Sequence, residues 1–164
     1  SYKAATEMLA KVRKDVRIFS STMIDDIAGG KACVAIGWSG DINQAAARAK
    51  ENGSKEVIEA LLPSTGALIF FDTMAVTKDA KHPNNAAAFI DFYLRPENAA
   101  AMANDMGYPT GNKAALDKVK PEIAGNKTIF VESAYFAKMI QPKGLTNEAR
   151  EGMSNAYNSF KKGK

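Results

Sequence analysis

The sequence predicts an α/β fold. Short apolar runs of strand length, at residues 32–36, 57–62 and 66–76, alternate with stretches of helical composition. Glycine or proline punctuates these runs: Gly37 follows the first, Pro63 the second, and Gly66 opens the third. With 164 residues, 46% apolar and 24% charged, the chain has the composition and length to bury one core, as a single domain or a compact fragment.

Residues 2–14 place Ala5, Met8, Leu9 and Val12 on one helical face. Residues 17–19 read as a short strand. Ser20, Ser21 and Thr22 offer cap oxygens to a short helix through Met23, Ile24 and Ile27, which Gly29 and Gly30 stop. Residues 32–36 (ACVAI) then form a buried strand, with Cys33 packed as a small hydrophobe. Gly37-Trp38-Ser39-Gly40-Asp41 turns the chain into a helix from about 41 to 51, closed by Asn52-Gly53. Residues 57–62 give a further strand, and residues 66–76 the most apolar segment of all. Beyond His82 and Pro83 a helix carries a broad apolar surface that includes Phe89, Ile90 and Phe92. Pro96 opens a helix over 97–106 that Gly107 stops; 113–118 and 132–139 are short helical pieces, and Thr146 caps a final amphipathic helix through Phe160.

The net charge is +4, from 22 basic and 18 acidic residues that are interspersed along the chain. No basic stripe with interleaved aromatics is present, which argues against a nucleic-acid partner. One cysteine and one histidine cannot build a usual zinc site, and no metal or cofactor is expected. Neither a GxxxxGK[ST] nor a GxGxxG loop occurs, there is no GxSxG elbow, and His82 lies in a Lys/Pro loop without an acidic or serine partner. No catalytic residue is assigned, and binding is favoured over catalysis. No apolar run has the length of a membrane span, and the first residues lack a signal-peptide pattern, so either the chain is cytosolic or any targeting segment was removed or lies outside this sequence.

Two places carry the chemistry that remains. Trp38 and Asp41 set an aromatic face three residues from a carboxylate, where a strand end meets a helix start. Asp72 interrupts a run of apolar residues, where an unpaired carboxylate would cost several kcal/mol to bury, so it is paired, hydrogen-bonded or facing a cleft. Strand alternation sets Phe70 on the same face as Asp72. Ring plus carboxylate, twice over, can bracket a cation; the plainer alternatives are a core tryptophan beside a helix-capping aspartate and a strand-end aspartate bonded to neighbouring backbone.

The chain resembles the C-terminal half of a periplasmic polyamine (spermidine/putrescine)-binding protein of an ABC importer. The likeness rests on Lys11-Val12-Arg13, on Cys33 through Asp41 (CVAIGWSGD), on Gly66-Ala67 with Phe70-Phe71-Asp72, and on Lys78-Asp79-Ala80. It continues through Phe89 to Glu97 (FIDFYLRPE), Tyr108-Pro109, and Gly111 through Ala115 (GNKAA). The GWSGD and FFD pair is the specific part; the helix with Arg-Pro-Glu is generic to periplasmic binding proteins. Ser64-Thr65 stands where the family usually carries Lys-Glu.

This resemblance implies a type II periplasmic binding-protein fold, here about half of two α/β lobes joined by a hinge. Residues 1–65 would be part of the second lobe; residues 66–164 would be a hinge-crossing strand and the C-terminal part of the first. It also implies ligand contacts at Trp38, Asp41, Phe70, Asp72, Tyr108 and Gln141, a periplasmic location, and partnership with importer membrane subunits. A missing N-terminal half or a swapped partner chain would complete the fold. The other readings are a receptor of the same superfamily for a different small solute, and a hydrolase using Asp41 and Asp72 as paired carboxylates.

Overall fold

The structure is a computed structural model that describes residues 2–163. Its helices form where local signals place them. Eight α-helices are found among the described residues: α1 Tyr2–Ala10, α2 Met23–Ala28, α3 Ser39–Glu51, α4 Pro83–Leu94, α5 Pro96–Met106, α6 Pro121–Ala124, α7 Ser133–Phe136 and α8 Asn147–Lys161. Two 3-10 turns, Arg13–Asp15 and Lys113–Lys118, complete the set. Pro83, Pro96 and Pro121 each open a helix, where a missing N–H loses nothing. The Asn112 side chain caps the second 3-10 turn by accepting from Ala114 N at 3.0 Å, and Thr146 caps α8 by accepting from Ala149 N at 3.2 Å.

The chain divides into two compact units. Met23–Gln141 forms the larger, and the segments up to Thr22 and from Pro142 onward form the smaller. Gly66 N donates to Pro63 O at 3.0 Å, which closes a turn at residues 63–66 within the larger unit.

In the smaller unit α1 lies against α8. Tyr2 donates its hydroxyl to Ala149 O at 2.8 Å, and its ring fills the space that a side chain at Gly152 would need. Arg13 closes the other end of α8: Nε donates to Phe160 O at 2.8 Å and Nη2 to Lys161 O at 2.6 Å. Both carbonyls belong to the last turn of α8, where few intrahelical donors follow, and Phe160 O accepts from Gly163 N at 3.0 Å as well. The guanidinium also stacks over Phe19, 5.1 Å from its centroid, and Phe19 meets Phe160 edge to face at 5.6 Å.

In the larger unit the core is built from small residues. Ala99, Ala100 and Ala103 of α5 bury against Ala115 and Val119, with Ile123 and Phe130 half-buried around them. Small side chains let the 3-10 turn approach α5 closely, and Asn104 fixes the approach by accepting from Lys120 N at 2.8 Å. Helix α3 buries Ala45 and Ala49 and packs on α2, to which Arg48 is tied by an ion pair with Asp25.

The strands expected from the apolar runs are not formed among the described residues. Residues 34–38 and 57–63 carry neither helix nor strand and lie beside no second strand. The single bridge is parallel, between Leu68 and Ile140, closed by Ile69 N to Ile140 O at 3.0 Å and Ile140 N to Ala67 O at 2.9 Å. The physical reason is that a strand exists only through its neighbour's backbone. An apolar, β-branched run supplies the side chains of a buried strand but not the ladder. Val34 (85% exposed), Ile36 (97%) and Val57 (93%) therefore face solvent. Cys33, expected to pack as a small hydrophobe, is exposed for the same reason.

Candidate functional site

Asp41 sits in the first turn of α3, where the positive end of the helix dipole favours a carboxylate. The helix begins one residue after Trp38, whose carbonyl accepts the first helical bond from Ile42 N at 3.1 Å. Three contacts hold this end of α3 in place. Asn43 Nδ2 donates to Ser39 O at 2.8 Å and to Thr128 Oγ1 at 2.9 Å, while Asn126 Nδ2 donates to Asn43 Oδ1 at 2.8 Å. Gln44 Nε2 donates to Met106 O at 2.8 Å, tying α3 to the end of α5.

Helix α5 stops at Gly107, whose φ of 68° is the left-handed conformation that ends a helix cheaply only in glycine. The next residue, Tyr108, is thereby turned back onto α3. Its hydroxyl donates to Asp41 Oδ1 at 3.0 Å. Burial is the first cause pushing the Tyr108 phenol up to about 12; the hydrogen bond and negative charge of Asp41 add to it, and the charge of Asp72 adds further. Asp72 is thus close enough to act on the same phenol, although its own side chain is exposed.

Of the six residues singled out from the sequence, Asp41 and Tyr108 are in contact and Asp72 is within electrostatic reach of Tyr108. Neither Asp41 nor Asp72 is in a salt bridge to a lysine or arginine among the described residues. Trp38 and Phe70 are about half exposed, at 52% and 56%, and make no ring contact with the pair. Gln141 is exposed at the end of the larger unit and makes no hydrogen bond to the pair. Phe70 and Asp72 lie in a segment without regular structure, not on a paired strand as alternation required. The aspartate of this segment is solvated, which removes the burial penalty that made it conspicuous in the sequence.

Gly40 was missed as part of the arrangement. A Cβ there would fall 2.2 Å from Tyr108 Cε2, so the ring rests on bare backbone. The available signal was a glycine in the first turn of a helix, a position that asks for a packing reason. No group of three His, Cys, Asp or Glu side chains among the described residues is arranged to hold a metal ion. No helix of the described residues is long and apolar enough to cross a membrane.

Residues 2–131 match the family described as bacterial extracellular solute-binding protein. The chain belongs to this family. Within the solute-binding proteins it is 37% identical over 163 residues to the putrescine-binding periplasmic protein SpuD of Pseudomonas aeruginosa, covering 99% of this chain and 44% of that protein. It is also 37% identical over 161 residues to the putrescine-binding periplasmic protein PotF of Escherichia coli, with 98% of this chain and 44% of that one covered. A spermidine/putrescine-binding periplasmic protein of Salmonella typhimurium is 30% identical over 137 residues, 83% of this chain and 38% of its own length. The chain therefore spans less than half the length of these curated relatives.

Proposed function

We propose that this solute-binding protein chain carries part of a cleft for an aliphatic polyamine, putrescine or spermidine, in the receptor of an ABC importer. One observation supports this reading most. Asp41 accepts the Tyr108 hydroxyl in the first turn of α3, and among the described residues neither it nor Asp72 is in a salt bridge to a lysine or arginine. Carboxylates that no protein cation compensates attract a ligand that brings its own positive charges. On a chain of net charge +4 such a pocket is a local property, not a consequence of overall charge.

In this reading Asp41 and Asp72 accept ammonium groups. Trp38 and Phe70 cover methylenes and attract the charge through their ring faces, with Tyr108 and Gln141 as further contacts. The half-exposed rings are suited to that task, because a surface that gains a partner on binding must be open without it. The relatives' names add independent support, since each binds putrescine or spermidine. The role is that of a receptor without catalysis, working in the periplasm with the importer's membrane subunits.

The assignment of residues 1–65 to the second lobe and 66–164 to the hinge-crossing segment and first lobe belongs to the same proposal. The unpaired segments at 34–38 and 57–63 fit it: their exposed Val34, Ile36 and Val57 have the character of strand side chains that await neighbours. Polypeptide corresponding to the unmatched part of the relatives would supply those neighbours and the remaining ligand contacts.

Calorimetric titration with putrescine, with spermidine and with butane-1,4-diol tests the reading. Saturable heat from the amines and none from the uncharged diol is the expected result. Equal binding of the diol, or saturation only by an unrelated small solute, contradicts it. Turnover of an amide or glycoside would instead favour the paired-carboxylate hydrolase.

A further inference from the structure

Glycine in a helical turn weakens the helix relative to alanine, yet Gly40 occupies the first turn of α3. The structure supplies the compensation. Three atoms of the Tyr108 ring lie 2.2–2.4 Å from where a Cβ at position 40 would sit, so the ring occupies the space a side chain would take. With the ring seated there, its hydroxyl reaches Asp41 Oδ1 at 3.0 Å, one residue further along α3. Gly107 closes the arrangement from the other side: a Cβ there would lie 3.7 Å from the Gly40 carbonyl oxygen, and its left-handed turn sends Tyr108 toward α3. Helix start and helix end meet at two glycines, and one tyrosine is held between them.

We propose that Tyr108 is a positioning residue that acts through Asp41. Its phenol holds Oδ1 and leaves Oδ2 as the acceptor for a ligand ammonium, and Gly40 is the residue that makes this seat possible. The proposal rests on the amine-receptor reading above and deepens it. A carboxylate on two rotatable bonds must be ordered when it grips a cation, and ordering it beforehand removes that part of the binding penalty. A ring that merely covered methylenes would need no hydroxyl. Here the hydroxyl is committed to an acid 67 positions away, through a contact that the backbone of Gly40 was left bare to allow.

Two readouts on the whole chain test this. The first needs no ligand: tyrosinate absorbance is followed against pH in the wild type and in Tyr108→Phe and Asp41→Asn. One phenol should titrate near 12 in the wild type, disappear in Tyr108→Phe, and move down in Asp41→Asn, where the adjacent charge is gone. No movement in Asp41→Asn overturns the proposal.

The second readout is calorimetry with putrescine. Tyr108→Phe keeps the ring and should bind roughly five- to tenfold more weakly. The double variant with Asp41→Asn should bind no more weakly than Asp41→Asn alone, because both changes remove one coupled unit. Gly40→Ala, which retains phenol and acid but fills the seat, should reproduce the loss. Unchanged affinity in Tyr108→Phe, or additive losses in the double variant, overturns the positioning role while leaving the amine reading standing. A wild type that gives no saturable heat with putrescine when completed by the polypeptide corresponding to the unmatched part of its relatives overturns the amine reading and the positioning role with it.

Discussion

Asp41 is held by its neighbours. Its helix is pinned by Asn43 and Gln44, and its Oδ1 by Tyr108, so its position is fixed by groups from three stretches of sequence. Trp38, three residues earlier, accepts the first bond of α3 through its carbonyl, and its half-exposed ring is available for contact. Trp38→Ala should therefore leave the fold intact and remove roughly 1–2 kcal/mol from amine binding, as packing and cation–π energy; affinity measured by calorimetry checks this. Tyr108 makes a further prediction about pH. Its folded pKa lies above the ordinary tyrosine value, so folding favours the neutral phenol. That contribution to stability is present below about pH 10 and is lost as pH rises toward about 12. Denaturant melts of the wild type should lose stability across this window more steeply than those of Tyr108→Phe; parallel curves would show that the phenol is not coupled to folding. The residue types of this site were readable in the sequence, where a ring and an acid twice stand close together. The Tyr108–Asp41 bond was not, because nothing local in either segment reports a partner 67 positions distant.

At the scale of elements, local chemistry decides what forms. Gly107 ends α5 in the left-handed conformation, which costs a residue with a side chain about 1–2 kcal/mol, so Gly107→Ala should destabilise the larger unit by that amount. Because Tyr108 follows directly, the same variant should weaken putrescine binding; a stable variant with unaltered binding would show that the turn does not place the tyrosine. In the smaller unit Thr146→Ala removes the cap of α8 and should cost about 1 kcal/mol, visible as loss of helical circular dichroism on warming. Helix starts and stops were legible for the same reason: Pro96, Gly107 and Thr146 act within one turn of chain. The strands were not. Residues 32–36 and 57–62 have the composition of buried strands, but a ladder is a property of two segments, and among the described residues only Leu68 finds a partner, at Ile140.

At the scale of the molecule, each unit has its own means of cohesion. The larger is closed by alanines between α5 and the 3-10 turn, where overpacking with Ala103→Leu should destabilise it by about 1–3 kcal/mol. The smaller depends on Arg13 at the end of α8. Hydrogen exchange should follow this division. Amides of α5 should be protected, and those of residues 57–62 should exchange nearly as fast as in an unstructured peptide, since they have no ladder. Strong protection at 57–62 would show that these segments are paired in solution. The central claim concerns the two acids, and one experiment addresses it directly: calorimetric titration of putrescine into the wild type, Asp41→Asn and Asp72→Asn. The expected result is saturable binding in the wild type that both substitutions abolish or greatly weaken. Wild-type affinity retained in both variants would contradict it.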